Sequence, residues 1–181
     1  MIKLSHSLFM ETYQMATPEE LSNRYLEMSR KYFRQAQEEL DRRDFSQSTE
    51  KAWGAAAKAL KSIAAQRVWN HKSHGLLRDM ATHLYMEFGE PRIFDLFGVL
   101  ENAHNNYYEH RWDSDEAQLH IDRGRELIDL LEDIRNSPPR RFTPANREQE
   151  RRLQRLTQYH PDRDADAALN ISTLPPVEPE A

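Results

Sequence analysis

The sequence contains no cysteine. Disulfides, thiolate catalysis and cysteine-based zinc sites are therefore excluded. Glycine is scarce, with 5 residues against 9 prolines, which argues against a turn-rich β-protein. No apolar run approaches the length of a membrane span. Near the start, Ile2, Leu4, Leu8, Phe9 and Met10 are interrupted by His6, Ser7, Glu11 and Gln14, so no continuous signal-type apolar core forms there. A protein of the reducing cytoplasm, without membrane association, is the expectation. A net charge of −5 exerts no global pull on nucleic acid, and any such contact needs a local patch. Lysine is missing after Lys72, so every later fixed positive charge is an arginine. Guanidinium forks suit phosphate and carboxylate partners.

What the chain does contain is helical periodicity. Thr17-Pro18-Glu19-Glu20 has the form of a helix start, with a capping hydroxyl, a proline at the first helical position and a carboxylate three residues after the cap. Leu21, Tyr25, Met28, Tyr32, Ala36 and Leu40 then repeat at helical spacing. A second helix opens with Asp44 as cap and runs through Trp53, Gly54 and a series of alanines to about Arg67; its small residues require a neighbour pressed close. A third carries Leu77, Met80, Ala81, Leu84 and Phe88, and Gly89 stops it. A fourth carries Ile93, Phe97, Leu100 and His104. The fifth opens on acids at Asp113 to Glu116, has Ala117, Ile121, Gly124, Leu127, Ile128, Leu131 and Ile134 as its stripe, and ends at Pro138-Pro139.

The breaks are short, so an all-α, antiparallel up-and-down bundle of about five helices is expected over residues 17–137. An N-terminal arm, 1–16, precedes it. An arginine-rich segment, 138–160, follows, with a short helix starting near Thr143-Pro144. The acidic, proline-rich tail 161–181 has the composition of a disordered segment.

The most unusual stretch runs from Glu101 to Trp112. It is polar and aromatic where a plain bundle helix is leucine and lysine. His104 falls on the apolar stripe, and a buried imidazole needs a partner for each nitrogen. His104 and His110, with Asn105 beside them, are candidates to position and deprotonate a ribose 2′-hydroxyl. The competing reading is a hydrogen-bonded core histidine with interface aromatics. Glu101 and His104 form a single Glu-x-x-His pair, whereas a carboxylate-bridged di-iron bundle needs two. His71 and His74 flank a loop without a third ligand. No phosphate-binding glycine loop or serine elbow is present, so no metal or cofactor is expected. Trp53 suits a core or dimer-interface anchor.

The helix Ser48 to Lys61, with its Glu50-Lys51-Ala52-Trp53-Gly54-Ala55-Ala56 core, the Trp69…His74-Gly75-Leu76-Leu77 segment and Leu100-Glu101-Asn102-Ala103-His104-Asn105-Asn106-Tyr107-Tyr108-Glu109 together resemble the HEPN superfamily. They are nearest its small archaeal and cyanobacterial PaREP-type branch. The resemblance covers roughly residues 17–135 and implies a helical bundle that dimerises. Many members are metal-independent ribonucleases of toxin or defence systems. Their site is an arginine followed, within two helical turns, by a histidine, with two copies facing across the dimer. Asn105 and His110 fit that pattern, but His104 stands where the arginine belongs, and an imidazole is not a permanent cation. Arg67…His74, Arg78…His83 and Arg155…His160 also have the spacing, about as many as chance supplies. Two functions follow. One is a homodimer that binds or cleaves RNA through His104, Asn105 and His110, with Tyr107, Arg111, Arg140 and Arg141 contacting nucleic acid. The other is a non-catalytic interaction module or scaffold, docking on a protein such as a nucleotidyltransferase-type antitoxin.

Overall fold

The computed structural model describes residues 16–105 and 112–158, and among them every regular element is an α-helix. Six occur: α1 (Pro18–Asp41), α2 (Phe45–Gln66), α3 (His74–Phe88), α4 (Arg92–Asn105), α5 (Ser114–Asn136) and α6 (Arg147–Thr157). None is long and apolar enough to cross a membrane.

The helices begin where side chains can satisfy their orphan N–H groups. Thr17 Oγ1 accepts from the Glu20 N–H at 3.2 Å, and Glu20 accepts from the Thr17 N–H at 2.7 Å. Asp44 accepts from the Gln47 N–H, and Ser73 from that of Leu76. Asp113 and Glu116 form a second reciprocal cap at the start of α5. Gly89 ends α3 in the left-handed region, with φ of 68°. Helix α6 starts later than Thr143-Pro144. Its cap is Asn146, whose side chain accepts from the N–H groups of Glu148 and Gln149.

Helices α1 and α2 form an antiparallel hairpin. Its closeness comes from small residues. Ser29 donates to the Ala55 carbonyl at 2.7 Å, and a methyl group on Gly54 would lie 2.7 Å from the Tyr32 ring. This approach rotates α1 relative to the stripe anticipated from its sequence. Ser22, Leu26, Ser29 and Phe33 are buried, together with the expected Tyr25 and Ala36, whereas Leu21, Met28, Tyr32 and Leu40 are half-covered. A stripe of large apolar residues is the usual inward face; here two serines face inward because only a small residue lets the backbones meet.

Helix α5 packs antiparallel to α1 and against α2. Gly124 admits the Ala52 methyl, and Leu127, Leu131 and Ile121 are fully buried. Its anticipated stripe is its buried face throughout. Helices α3 and α4 form a second antiparallel pair, with His74 opposite His104, Arg78 opposite Glu101 and Tyr85 opposite Phe94. Helix α6 closes the α3 side. Leu156 is fully buried, its carbonyl accepts from the Asn70 N–H at 2.7 Å, and Arg155 grips Asp79 through two bonds of 2.7 and 2.8 Å.

Candidate functional site

The register of α3 against α4 brings chemistry together over the middle of α2. Trp53 lies in the core, 3 % exposed, and its ring is the floor. Phe97 packs beneath it at 5.3 Å between centroids. The His104 imidazole stacks on the indole at 5.1 Å with an interplanar angle of 21°. His74, exposed at the first position of α3, completes the cluster at 6.0 Å from Trp53 and 5.2 Å from His104. Two imidazoles therefore share one half-open platform.

Glu50, one turn before Trp53 on α2, lies 2.7 Å from His104 Nδ1. A carboxylate has no hydrogen to give, so Nδ1 donates and the ring is held in one tautomer. Nε2 is left to accept or to carry a second proton. One turn from His74 and one turn from His104, Arg78 pairs with Glu101 across the two helices. The Arg78 side chain remains 60 % exposed, so its guanidinium has face and donors available to an incoming anion. Arg78 thus places a permanent cation on the face that carries His104, the property that His104 itself lacks.

Of the residues singled out from sequence, His104 is at the centre of this cluster and Asn105 is next to it, exposed at the end of α4. Tyr107, His110 and Arg111 lie outside the described residues. Arg140 and Arg141 are elsewhere. The Arg140 N–H binds Glu87 Oε1 at 2.8 Å, its Nη1 donates to the Phe88 carbonyl at 3.0 Å, and its guanidinium lies over the Phe88 ring at 4.8 Å. That is the C-terminal end of α3, about 21 Å of helix from His74 at 1.5 Å per residue. Arg141 is exposed in the same connection. The structure does not bring these two arginines to the histidine platform.

Glu50, Trp53, His74, Arg78 and Glu101 were not assembled by sequence reasoning. The i, i+4 pair on α3 and the i, i+3 pair on α4 are each visible in the sequence, but facing them requires the helix register. His71, the neighbour of His74 in the loop, is buried instead, with Nδ1 on the Trp69 carbonyl at 2.8 Å and its ring edge-on to Tyr25. Among the described residues no group of three or more His, Asp or Glu is disposed to hold a metal ion.

Comparison with curated proteins and with solved structures returns no match. The model of the archaeal PaREP1/PaREP8 family matches residues 24–128, and the chain belongs to that family. The matched span contains all of the histidine platform and stops short of Arg140.

Proposed function

We propose that this member of the archaeal PaREP1/PaREP8 family is a ribonuclease that cleaves RNA without a metal ion, its reacting groups being His104 and His74. The observation that carries the reading is the pairing of two imidazoles 5.2 Å apart, one of them oriented by a carboxylate. Strand cleavage by a 2′-hydroxyl needs one group to remove a proton and another to supply one. His104, its tautomer held by Glu50, accepts the 2′-hydroxyl proton at Nε2. The freed oxygen attacks the adjacent phosphorus, and the bond to the 5′-oxygen breaks. His74, in its protonated form, donates to that leaving oxygen. Products are a 2′,3′-cyclic phosphate and a 5′-hydroxyl. Arg78 meets the charge that gathers on the phosphoryl oxygens.

The HEPN resemblance supports the substrate class and a homodimer in which Asn105 and His110 of each copy complete the cleft. Tyr107 and Arg111 then extend the RNA contact, and the role in the cell is that of a toxin or defence protein. The test is labelled RNA incubated with purified protein in the presence of chelator. Cleavage giving cyclic phosphate ends is expected, with loss of about a hundredfold or more on His104→Ala or His74→Ala, and no cleavage of a 2′-deoxy strand. Intact RNA throughout, or cutting that both variants retain, refutes the proposal.

A second reading has its own observation. Val99 and Leu119 are 40 % and 54 % exposed and line one groove of about 290 Å³ between α4 and α5. Apolar surface of this kind suits a helical protein partner, as in a non-catalytic interaction module. Co-purification of a stoichiometric partner that Leu119→Lys abolishes, from a protein inert towards RNA, selects it.

A further inference from the structure

Helix α3 carries a second polar face, turned away from the histidine platform. There His83 and Glu87, with side chains 5 % and 2 % exposed, meet Arg67 from the end of α2. Glu87 is fully engaged. Its Oε2 lies 2.6 Å from Arg67 Nη1 and 3.4 Å from His83 Nε2, and its Oε1 takes the Arg140 N–H. Around this network opens a cleft of about 730 Å³ between the ends of α2 and α5 and the connection to α6.

Three arginines line the cleft, Arg67, Arg135 and Arg140, against one acidic residue, Glu87. The lining alone has an excess of two positive charges, and counting Glu19, the ion-pair partner of Arg135, leaves one, in a chain whose net charge is −5. Glu19 lies 3.4 Å from Arg135 but outside the lining, and is itself mostly exposed. Donors remain. Arg135 uses Nε on Ser22 and Nη2 on Asn23 and Glu19, leaving Nη1 without a hydrogen bond among the described residues. Arg140 uses Nη1 alone, leaving Nε and Nη2. The remaining wall is of another kind: the apolar faces of Pro139 and Phe142, and the exposed amide ends of Gln66 and Asn136.

From this we infer that the cleft is a binding site for a phosphoryl dianion, held between Arg135 and Arg140. Among the described residues the Arg140 guanidinium has no carboxylate partner and that of Arg135 has only the exposed Glu19, so both have charge to offer the dianion, and their planar donor forks match its oxygens. The volume lies in the range of small-molecule sites and exceeds what a bare phosphate fills. The proline, phenylalanine and amide wall is where the organic part of a phosphate ester rests. The site is independent of the ribonuclease reading. It lies at the other end of α3, and its cation Arg140 is outside the family-matched residues.

Calorimetric titration of the full chain with inorganic phosphate, with AMP and with citrate tests this. Phosphate and AMP are expected to compete for one site and citrate to bind far more weakly. AMP binding more tightly than phosphate identifies an ester as the ligand; equal binding identifies free phosphate. Arg140→Gln keeps the backbone N–H on Glu87 and removes only the guanidinium, and is expected to weaken binding about tenfold. Arg135→Gln is expected to do the same, but it also removes contacts between α5 and α1, so circular dichroism must first show the variant folded. The inference falls if neither phosphate nor AMP binds at millimolar concentration. It also falls if citrate binds as tightly as AMP, or if Arg140→Gln binds like the parent chain.

Discussion

Val68 adopts φ of 55° although its side chain branches at Cβ, and it is 48 % exposed. A β-branched residue in the left-handed region is strained. The strain is retained because the reversal after α2 returns the Trp69 N–H to the Ala64 carbonyl at 2.7 Å and brings the Trp69 indole under Arg67. Nothing in the exposed valine side chain compensates. Val68→Gly is therefore expected to raise unfolding free energy by about 1 kcal/mol, read from the midpoint of a denaturant titration. The same scale governs the catalytic proposal. His104 differs from His71 less by sequence context than by partner: a carboxylate in one case and a carbonyl in the other.

Pairs of elements decide which faces are inward. The α1–α2 hairpin depends on Gly54, where an added methyl meets the Tyr32 ring at 2.7 Å. Gly54→Ala gains helix propensity yet forces the ring or the backbone aside. A net loss of about 1–2 kcal/mol in thermal unfolding is expected. Helix α6 is held by one fully buried leucine and an arginine clamp on Asp79. Arg152 adds a contact to the same carboxylate, so two arginines of the arginine-rich segment are spent on the bundle. Leu156→Ala is expected to cost about 2–4 kcal/mol. In hydrogen exchange the amides of α6 should lose protection before those of α5, because so few contacts anchor that helix.

Across the whole molecule, Glu87 joins α2, α3 and the connection to α6 at one carboxylate. Burial opposes its ionisation, but the hydrogen bonds from His83, Arg67 and the Arg140 backbone outweigh that opposition and hold it at about 2, below its ordinary 4.5. The unfolded chain binds this proton more readily than the folded one. The stabilisation is therefore complete above about pH 4.5 and disappears as pH falls towards 2. Glu87→Gln should lower stability at neutral pH by about 3 kcal/mol and flatten the decline between pH 4.5 and 2. Parallel slopes for the variant and the parent chain in acid titrations of unfolding would contradict this account.

The sequence by itself determined the helices, because caps, prolines and 3.6-residue periodicity are local signals. Thr17, Asp44, Asp113 and Gly89 act where their chemistry indicates, and the stripe of α5 is its buried face. It also marked His104 as unusual. Only the tertiary structure decided that two serines turn inward on α1, since the closeness of a neighbouring backbone is not written in either helix alone. Only the register of α3 against α4 set His74 beside His104 and Arg78 beside Glu101, while α2 supplied Glu50 and Trp53. A site made from three helices is held in distances between segments, and periodicity within one segment carries no information about them.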